Sequence, residues 1–203
     1  MYAGKTEELM RLARREFVAG RKVVLFKPCL DDRYSKTHID SHNKSQLPAV
    51  VVKNTKEIMD YLAQNNVDVI GIDEIHFFTD DVVNFCVDIV QDKSKRVKII
   101  AGGLSKDFRG EPFKFMNSHR HIGELMPHAA SIIVLHAICT YKDKSGNICG
   151  KSADYSQRLI DGKPAPYDSP LILVGSTECY EARCGQHYHV PGRKKLLQFI
   201  DKS

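Results

Sequence analysis

The chain has 203 residues, of which 42% are hydrophobic and 27% charged, enough for one sizeable domain and a smaller one. We expect no membrane-spanning segment, because no apolar stretch reaches the length that a bilayer needs. We expect no targeting segment either, because the sequence opens directly on a loop motif. The net charge of +5, with nine histidines counted as neutral, suits an anionic small ligand and does not require nucleic acid. Six cysteines without a signal peptide favour a reducing compartment, where zinc ligands or buried thiols are commoner than disulfides.

The first predicted element is a phosphate-binding loop that leads into a helix. Gly4, Lys5 and Thr6 are the closing half of the motif G-x-x-x-x-G-K-[ST]. In that motif backbone N–H groups surround the phosphates, the lysine reaches the β and γ phosphates, and the hydroxyl holds Mg²⁺. The first glycine would lie before Met1, so we expect that the numbering begins late. The alternative is a capped helix start with an ordinary exposed lysine. The helix is predicted to end near Gly20 and to bury one apolar stripe, formed by Leu9, Leu12, Ala13 and Phe17.

Strands and helices alternate from there to about residue 135. Residues 27–48 are polar and irregular, as in a functional or mobile loop. The other segments predict strands at 23–26, 67–74 and 97–101, and helices near 58–62 and 82–90. Such alternation is typical of an α/β fold with a parallel sheet and right-handed crossovers.

The predicted strand at 67–74 ends in Asp73 and Glu74, which is the Walker B pattern. A buried parallel strand delivers such acids to the carboxyl edge of its sheet, where one can hold Mg²⁺ through water and the other can accept a proton. Alone, an acidic pair after a strand is usually a solvated turn or a helix cap. Following the phosphate-loop residues in the expected order, it predicts a nucleotide site.

The composition changes at residue 136, where helical periodicity stops. This segment is short and has little apolar content, so it needs a stabilising cross-link or metal. A closed structural zinc site is predicted from Cys139, Cys149, Cys184 and His187. The nine residues between the first two cysteines exceed the usual spacing, so we expect them to fold out as a hairpin. Buried free thiols are the alternative, and His189 is a second choice for the fourth ligand. Packed thiols are predicted for the remaining cysteines, Cys29, Cys86 and Cys179.

On these residues the chain resembles the type II thymidine kinases, the cytosolic P-loop and zinc-lasso family, in a bacterial-like form. The matching stretches, in order, are MYAGKTEEL, KPCLDDRYS, VIGIDEIHFF, DFRGEPF, SADYSQRLIDGKPAPYDSPLILVG, and ECYEARC leading to HVPGR. The resemblance implies a RecA-like P-loop α/β domain over 1–135, a small zinc-binding lasso domain over 136–192 that closes on the nucleoside, and a tail over 193–203. The chain departs from the family pattern at His76, usually glutamine, at Ser105, usually acidic, and in the wide cysteine spacing.

The resemblance implies transfer of the γ-phosphoryl of ATP to the 5′-hydroxyl of thymidine or deoxyuridine, giving dTMP for DNA synthesis. Glu74 matches the general base, and Asp73 lies near the Mg²⁺ that accompanies ATP. Asp31 and Arg33 match positions near the phosphates and metal. The implied ATP and magnesium set is Met1, Tyr2, Ala3, Gly4, Lys5, Thr6, Asp31, Arg33, Asp73 and His76.

The nucleoside residues are implied in the same way. Phe108 matches the aromatic that stacks on the base, with Leu104 and Phe77 lining the pocket, and Met1 matches a loop methionine near the 5-methyl group. Ser156 would line the 5-position and Tyr180 would hold the sugar or base. The backbone that would approach the pyrimidine comes from Leu171, Ile172, Leu173, Val174 and Gly175. Taken singly, Phe108 and Phe77 could be core residues and Tyr180 a packing residue.

The resemblance further implies one structural Zn²⁺ per chain, feedback inhibition by dTTP, a homotetramer and a cytoplasmic location, with no nucleic-acid or membrane partner. Two other classes stay open. A nucleotide-binding switch would use the phosphate loop without an acceptor substrate. A zinc-ribbon nucleic-acid binder would need a clustered basic face, which the sequence does not show near its cysteines.

Overall fold

The computed structural model describes residues 1–29, 38–39, 47–92, 94, 96–171 and 178–194. The chain forms two compact units. The sheet unit contains Gly4–Ser105 and Pro112–Val134, and the terminal unit contains Met1–Ala3, Lys106–Glu111 and the chain from Leu135 onward. In the described part of the chain, no helix combines the length and the apolar character that crossing a membrane requires. The division into domains near residue 136 stays a prediction.

The sheet unit is built on one sheet in the order β2-β3-β1-β4-β5. Strands β3, β1, β4 and β5 run parallel, and β2 is antiparallel to β3. The predicted α/β fold with a parallel sheet is therefore confirmed. The strands are β1 (Val23–Pro28), β2 (His38–Ile39), β3 (Leu47–Val52), β4 (Val69–Ile72) and β5 (Lys98–Ala101). The helices are α1 (Lys5–Val18), α2 (Thr55–Gln64) and α3 (Asp81–Gln91), with 3-10 turns at Ile75–Phe77 and Ile122–His128.

Apolar side chains cover both faces of the sheet, as expected for parallel strands. Successive residues of a strand point to opposite faces, so Phe26 joins one core cluster and Leu25 the other. The first cluster includes residues of α2 and α3, and the second includes residues of α1. Gly71, in the middle of β4, is required at that position, since a Cβ there would lie 2.3 Å from a methyl carbon of Leu25.

Two local predictions differ from the structure. Phe17 is 65% exposed, whereas Met10 is 1% exposed, because the buried face of α1 is centred on Leu9, Met10 and Ala13. Strand β3 was not foreseen, since it begins at Leu47 within the segment that looked irregular. Its pairing with β1 shows that tertiary context decided the conformation there.

The terminal unit contains short antiparallel strands. Strand β6 (Ala137–Ile138) pairs with β7 (Ser152–Ala153), and β8 (Tyr155–Ile160) pairs with both β9 (Lys163–Pro164) and β10 (Glu178–Arg183). The core cluster around the cysteines of this unit is small, formed by Ala137, Cys139, Ala153, Ala182 and Cys184. A core of alanines and thiols buries little apolar area, which is the condition in which a metal contributes most to stability.

The cysteines outside the predicted zinc site differ in burial. Cys86 is a packed thiol, as predicted, and burial raises its pKa to about 12. Cys29 is half-buried. The prediction for Cys179 is wrong, since this residue is exposed. Side chains alternate along β10, and Ala182 takes the buried face, which leaves Cys179 on the other one.

Candidate functional site

Helix α1 begins directly after Gly4, which has a φ of +72°. This left-handed conformation costs glycine little, and it lets the chain turn sharply into the helix. The amide of Glu8 donates to the Gly4 carbonyl at 2.9 Å, so the first turn is regular. The backbone N–H groups at such a helix start have no partner within the helix and favour anions. Lys5 and Thr6 are thus the first two residues of a helix whose amino end can face a phosphate group.

Asp73 follows β4 and meets the start of α1. Its Oδ2 accepts a hydrogen bond from Thr6 Oγ1 at 3.0 Å, and its Oδ1 accepts one from the Glu74 amide at 3.0 Å. Asp73 is 6% exposed, and this burial raises the pKa of its carboxyl. The amide of Asp73 donates to the carbonyl of Phe26 in β1 at 2.9 Å, which ties the residue after β4 to the neighbouring strand. A hydroxyl and a carboxylate in contact are the pair that holds Mg²⁺ in phosphate-loop proteins.

Glu74 lies beside Lys5 with an unusual backbone. Its φ of +46° lies in the left-handed region, which is uncommon for a residue with a side chain. Glu74 Oε1 is 3.5 Å from Lys5 Nζ. Burial raises the pKa of the Glu74 carboxyl, and the positive charge of Lys5 opposes that rise. A carboxylate with a raised pKa is a better proton acceptor than an ordinary glutamate, which suits a general base.

His76 is fully buried behind this acid pair. Its Nδ1 accepts a hydrogen bond from the Leu104 amide at 3.2 Å, so Nε2 carries the proton. Burial and the charge of Lys5 lower the His76 pKa to about 3. The imidazole is therefore neutral at pH 7, and its 3.4 Å approach to Glu74 Oε2 is not an ion pair. Among the described residues, His76 Nε2 and Glu74 Oε2 are both buried without a hydrogen-bond partner.

Aromatic rings surround His76. Its ring centroid lies 4.1 Å from that of Phe77 and 4.3 Å from that of Phe113. The sequence did not single out Phe113, although this residue ends the stretch DFRGEPF that carries the family resemblance. Gly103 completes the packing, since a Cβ there would lie 2.7 Å from Ile122. Phe77, Leu104 and Phe113 are thus candidate pocket residues of the sheet unit.

The other residues that are predicted to contact the nucleoside belong to the terminal unit. The amino terminus of Met1 donates to Ser156 Oγ at 2.8 Å, and Tyr180 is half-buried on β10 opposite Arg158 of β8. Phe108 is 3% exposed, and the guanidinium carbon of Arg158 lies 5.0 Å from its ring centroid. A base that stacks on Phe108 must therefore displace side chains that cover the ring.

Some predicted site residues cannot be placed. Leu171 is half-buried, but Ile172, Leu173, Val174 and Gly175 lie outside the described residues, as do Asp31 and Arg33. Of the phosphate-loop residues, Met1, Tyr2 and Ala3 belong to the terminal unit, whereas Gly4, Lys5 and Thr6 belong to the sheet unit. Their roles stay predictions.

Three cysteines and one histidine meet in the terminal unit. The ligand atoms of Cys139, Cys149, Cys184 and His187 all lie within 4.8 Å of one another. His187 Nδ1 is 3.5 Å from Cys184 Sγ and 3.6 Å from Cys139 Sγ, and the Sγ atoms of Cys149 and Cys184 are 4.0 Å apart. A tetrahedral zinc with Zn–S bonds of about 2.3 Å places its sulfurs about 3.7 Å apart, so the spacing fits the ion. The cluster contains the four residues named from the sequence, and His189 is exposed outside it.

The predicted hairpin between Cys139 and Cys149 is present. The Cys139 amide donates to Lys151 at 2.8 Å, and the Cys149 amide donates to Tyr141 at 2.8 Å. The turn is closed by Asp143, whose Oδ1 accepts from the amides of Ser145 and Asn147. These local bonds bring two cysteines together across a spacing much longer than C-x-x-C.

Comparison with known proteins supplies the family. The model of the family "Thymidine kinase" matches residues 1–188, which includes the phosphate-loop residues, the Walker B acids and all four residues of the Cys/His cluster. A match over nearly the whole chain cannot come from the shared phosphate-loop motif alone. The chain therefore belongs to the thymidine kinase family.

Proposed function

We propose that the protein is an ATP-dependent thymidine kinase that transfers the γ-phosphoryl group of ATP to the 5′-hydroxyl of thymidine or deoxyuridine. Membership of the family supports phosphorylation of thymidine in general terms. The donor, the use of deoxyuridine and the role in DNA precursor synthesis are parts of the proposal.

One observation carries the proposal: the start of α1 meets the end of β4 with matched chemistry. Thr6 is hydrogen-bonded to Asp73, and Lys5 lies 3.5 Å from Glu74. These contacts join residues far apart in sequence, so an ammonium group, a hydroxyl and two carboxyl groups lie close together. Phosphoryl transfer requires mainly this positioning and charge neutralisation.

Each of these residues has a separate part in the proposed reaction. Lys5 holds the β and γ phosphates, and Thr6 and Asp73 would hold the Mg²⁺ that arrives with ATP. That ion supplies charge neutralisation at the phosphates. Glu74 accepts the proton of the 5′-hydroxyl as the hydroxyl oxygen attacks phosphorus. His76 is uncharged and accepts the Leu104 amide through Nδ1, so it supports the site without adding a positive charge.

Thymidine-dependent release of ADP tests the proposal. The purified protein should release ADP from ATP only when thymidine is added, and dTMP should appear in equal amount. Asp60→Asn, an acid-to-amide change on an exposed part of α2, is the control and should keep full activity. ATP hydrolysis that thymidine does not affect would instead identify a nucleotide-dependent switch.

We also propose that the Cys/His cluster binds one structural Zn²⁺ per chain. Three thiolates and one imidazole leave no position for a substrate, which is typical of a structural site. Metal analysis of protein purified without chelator should find about one zinc per chain. Protein that folds fully and contains no zinc would overturn this proposal.

The family resemblance adds three further proposals: inhibition by dTTP, a homotetrameric assembly and a cytoplasmic location. Light scattering coupled to gel filtration measures the molar mass of the protein in solution. A mass near that of one chain would exclude the tetramer. Activity measured against increasing dTTP at fixed thymidine tests the inhibition.

A further inference from the structure

The hairpin between Cys139 and Cys149 places an aromatic ring against the histidine of the Cys/His cluster. The rings of Tyr141 and His187 are stacked, with centroids 3.9 Å apart and planes 17° apart. Tyr141 also accepts the amide hydrogen bond of Cys149 through its carbonyl. One residue of the hairpin therefore contacts the backbone of one cluster residue and the side chain of another.

The imidazole of His187 needs something to fix its orientation. A metal-bound histidine usually donates its second ring nitrogen to a carbonyl or carboxylate, and that bond sets the direction of the ring. In the part of the chain that the structure describes, the polar contacts of the His187 ring are made by Nδ1, which faces the thiols of Cys139 and Cys184. Stacking on Tyr141 supplies the orientation that a hydrogen bond at the other nitrogen would give.

The Tyr141 ring is itself held in place. The guanidinium carbon of Arg183 lies 5.8 Å from the ring centroid. Arg183 Nη1 donates to Thr140 Oγ1 at 2.8 Å, which ties the guanidinium to the residue before Tyr141. Arg183 directly precedes Cys184, so the guanidinium and the imidazole that contact the tyrosine ring belong to one short segment. This arrangement limits how far the ring can turn.

We infer that Tyr141 is a positioning residue of the metal site, whose ring holds the His187 imidazole with Nδ1 directed at the ion. The ring carries this role, and the phenol hydroxyl does not. The inference rests on the proposed zinc site and concerns metal affinity, independently of kinase activity.

Competition for zinc with a chromophoric chelator tests the inference on the purified full chain. Tyr141→Ala should bind zinc about 3- to 10-fold more weakly and release it faster, the range expected for one aromatic pair. Tyr141→Phe keeps the ring and should bind within about twofold of the wild type. Ile148→Ala is the matched control, because Ile148 is 60% exposed on the opposite strand of the same hairpin. If Tyr141→Ala does not fold, Tyr141→Leu keeps the bulk without the aromatic face and should show the same loss.

Repeating the Tyr141→Ala substitution in a His187 variant shows whether the Tyr141 ring acts through the His187 imidazole. In His187→Cys the fourth ligand is a thiolate, so adding Tyr141→Ala should cause no further loss of zinc affinity. An equal loss in both backgrounds, or wild-type affinity in Tyr141→Ala, would overturn the inference while leaving the zinc site intact. Wild-type protein that binds no zinc would overturn the zinc proposal and this inference together.

Discussion

The Glu74→Gln substitution tests whether Glu74 accepts a proton, and it preserves the shape of the site. Glutamine has nearly the same shape and keeps the backbone of the residue, but it cannot accept a proton. Glu74 Oε2 is buried without a hydrogen-bond partner among the described residues, so the substitution breaks no protein hydrogen bond at that atom. A positioned general base contributes about 10²- to 10⁴-fold to rate, and kcat should fall by that factor while the KM for thymidine stays nearly unchanged.

The same variant should not lose stability. Burial raises the pKa of Glu74, so the folded state favours the protonated form. That contribution to stability is present below the unfolded pKa and is lost as the pH rises through the folded value. Above that folded pKa the charged carboxylate is thus a cost that the neutral amide avoids, and the loss of the Lys5 contact offsets this gain. We expect Tm to change by no more than about 4 °C, the shift that ~1 kcal/mol produces in a chain of this size.

Steady-state kinetics and thermal melting on one preparation give both quantities. The pH dependence adds a third, since the acid limb of kcat in the wild type reports deprotonation of the base and should be absent from the variant. A kcat within tenfold of wild type would refute the general-base role. Equal losses in kcat and thymidine affinity would make Glu74 a positioning residue.

The further predictions address the phosphate loop, the metal site and the choice of nucleobase. Lys5→Ala should raise the KM for ATP and lower kcat, since it removes a phosphate contact, and unaltered ATP kinetics would remove Lys5 from the site. His187→Ala should lower the zinc affinity more than His189→Ala, because only His187 lies in the cluster, and chelator competition measures this difference. Removing zinc should unfold the terminal unit before the sheet unit, which hydrogen exchange measures. Thymidine and deoxyuridine should be phosphorylated, whereas purine deoxynucleosides should not, because their second ring would collide with the predicted lasso. Deoxycytidine should also be rejected, since it has a donor where thymine has an acceptor. Deoxycytidine turnover equal to that of thymidine would refute backbone readout of the nucleobase.

The sequence was most informative where chemistry and periodicity coincide. The strand before Asp73 was predictable because a short run rich in valine and isoleucine is typical of a buried parallel strand. The Cys/His cluster was predictable because three cysteines and a histidine, two of them at the knuckle spacing of Cys184 and His187, are ligands that suit zinc. The partners of His76 were not predictable, since its contacts with Leu104 and Phe113 depend on how distant segments pack. Tertiary pairing likewise overrode local composition at β3.

The hairpin also bears on the order in which the metal site assembles. Cys139 and Cys149 approach through a turn that can form locally within microseconds, and Cys184 and His187 are three residues apart. Closing a ten-residue loop costs only about 1 kcal/mol more than closing one of three residues, and the backbone bonds of the hairpin offset that difference. We therefore expect the slow step to be the meeting of the two ligand pairs, since Cys149 and Cys184 are 35 positions apart in sequence. An ion bound at the proposed zinc site would then join two ligand pairs that have already formed.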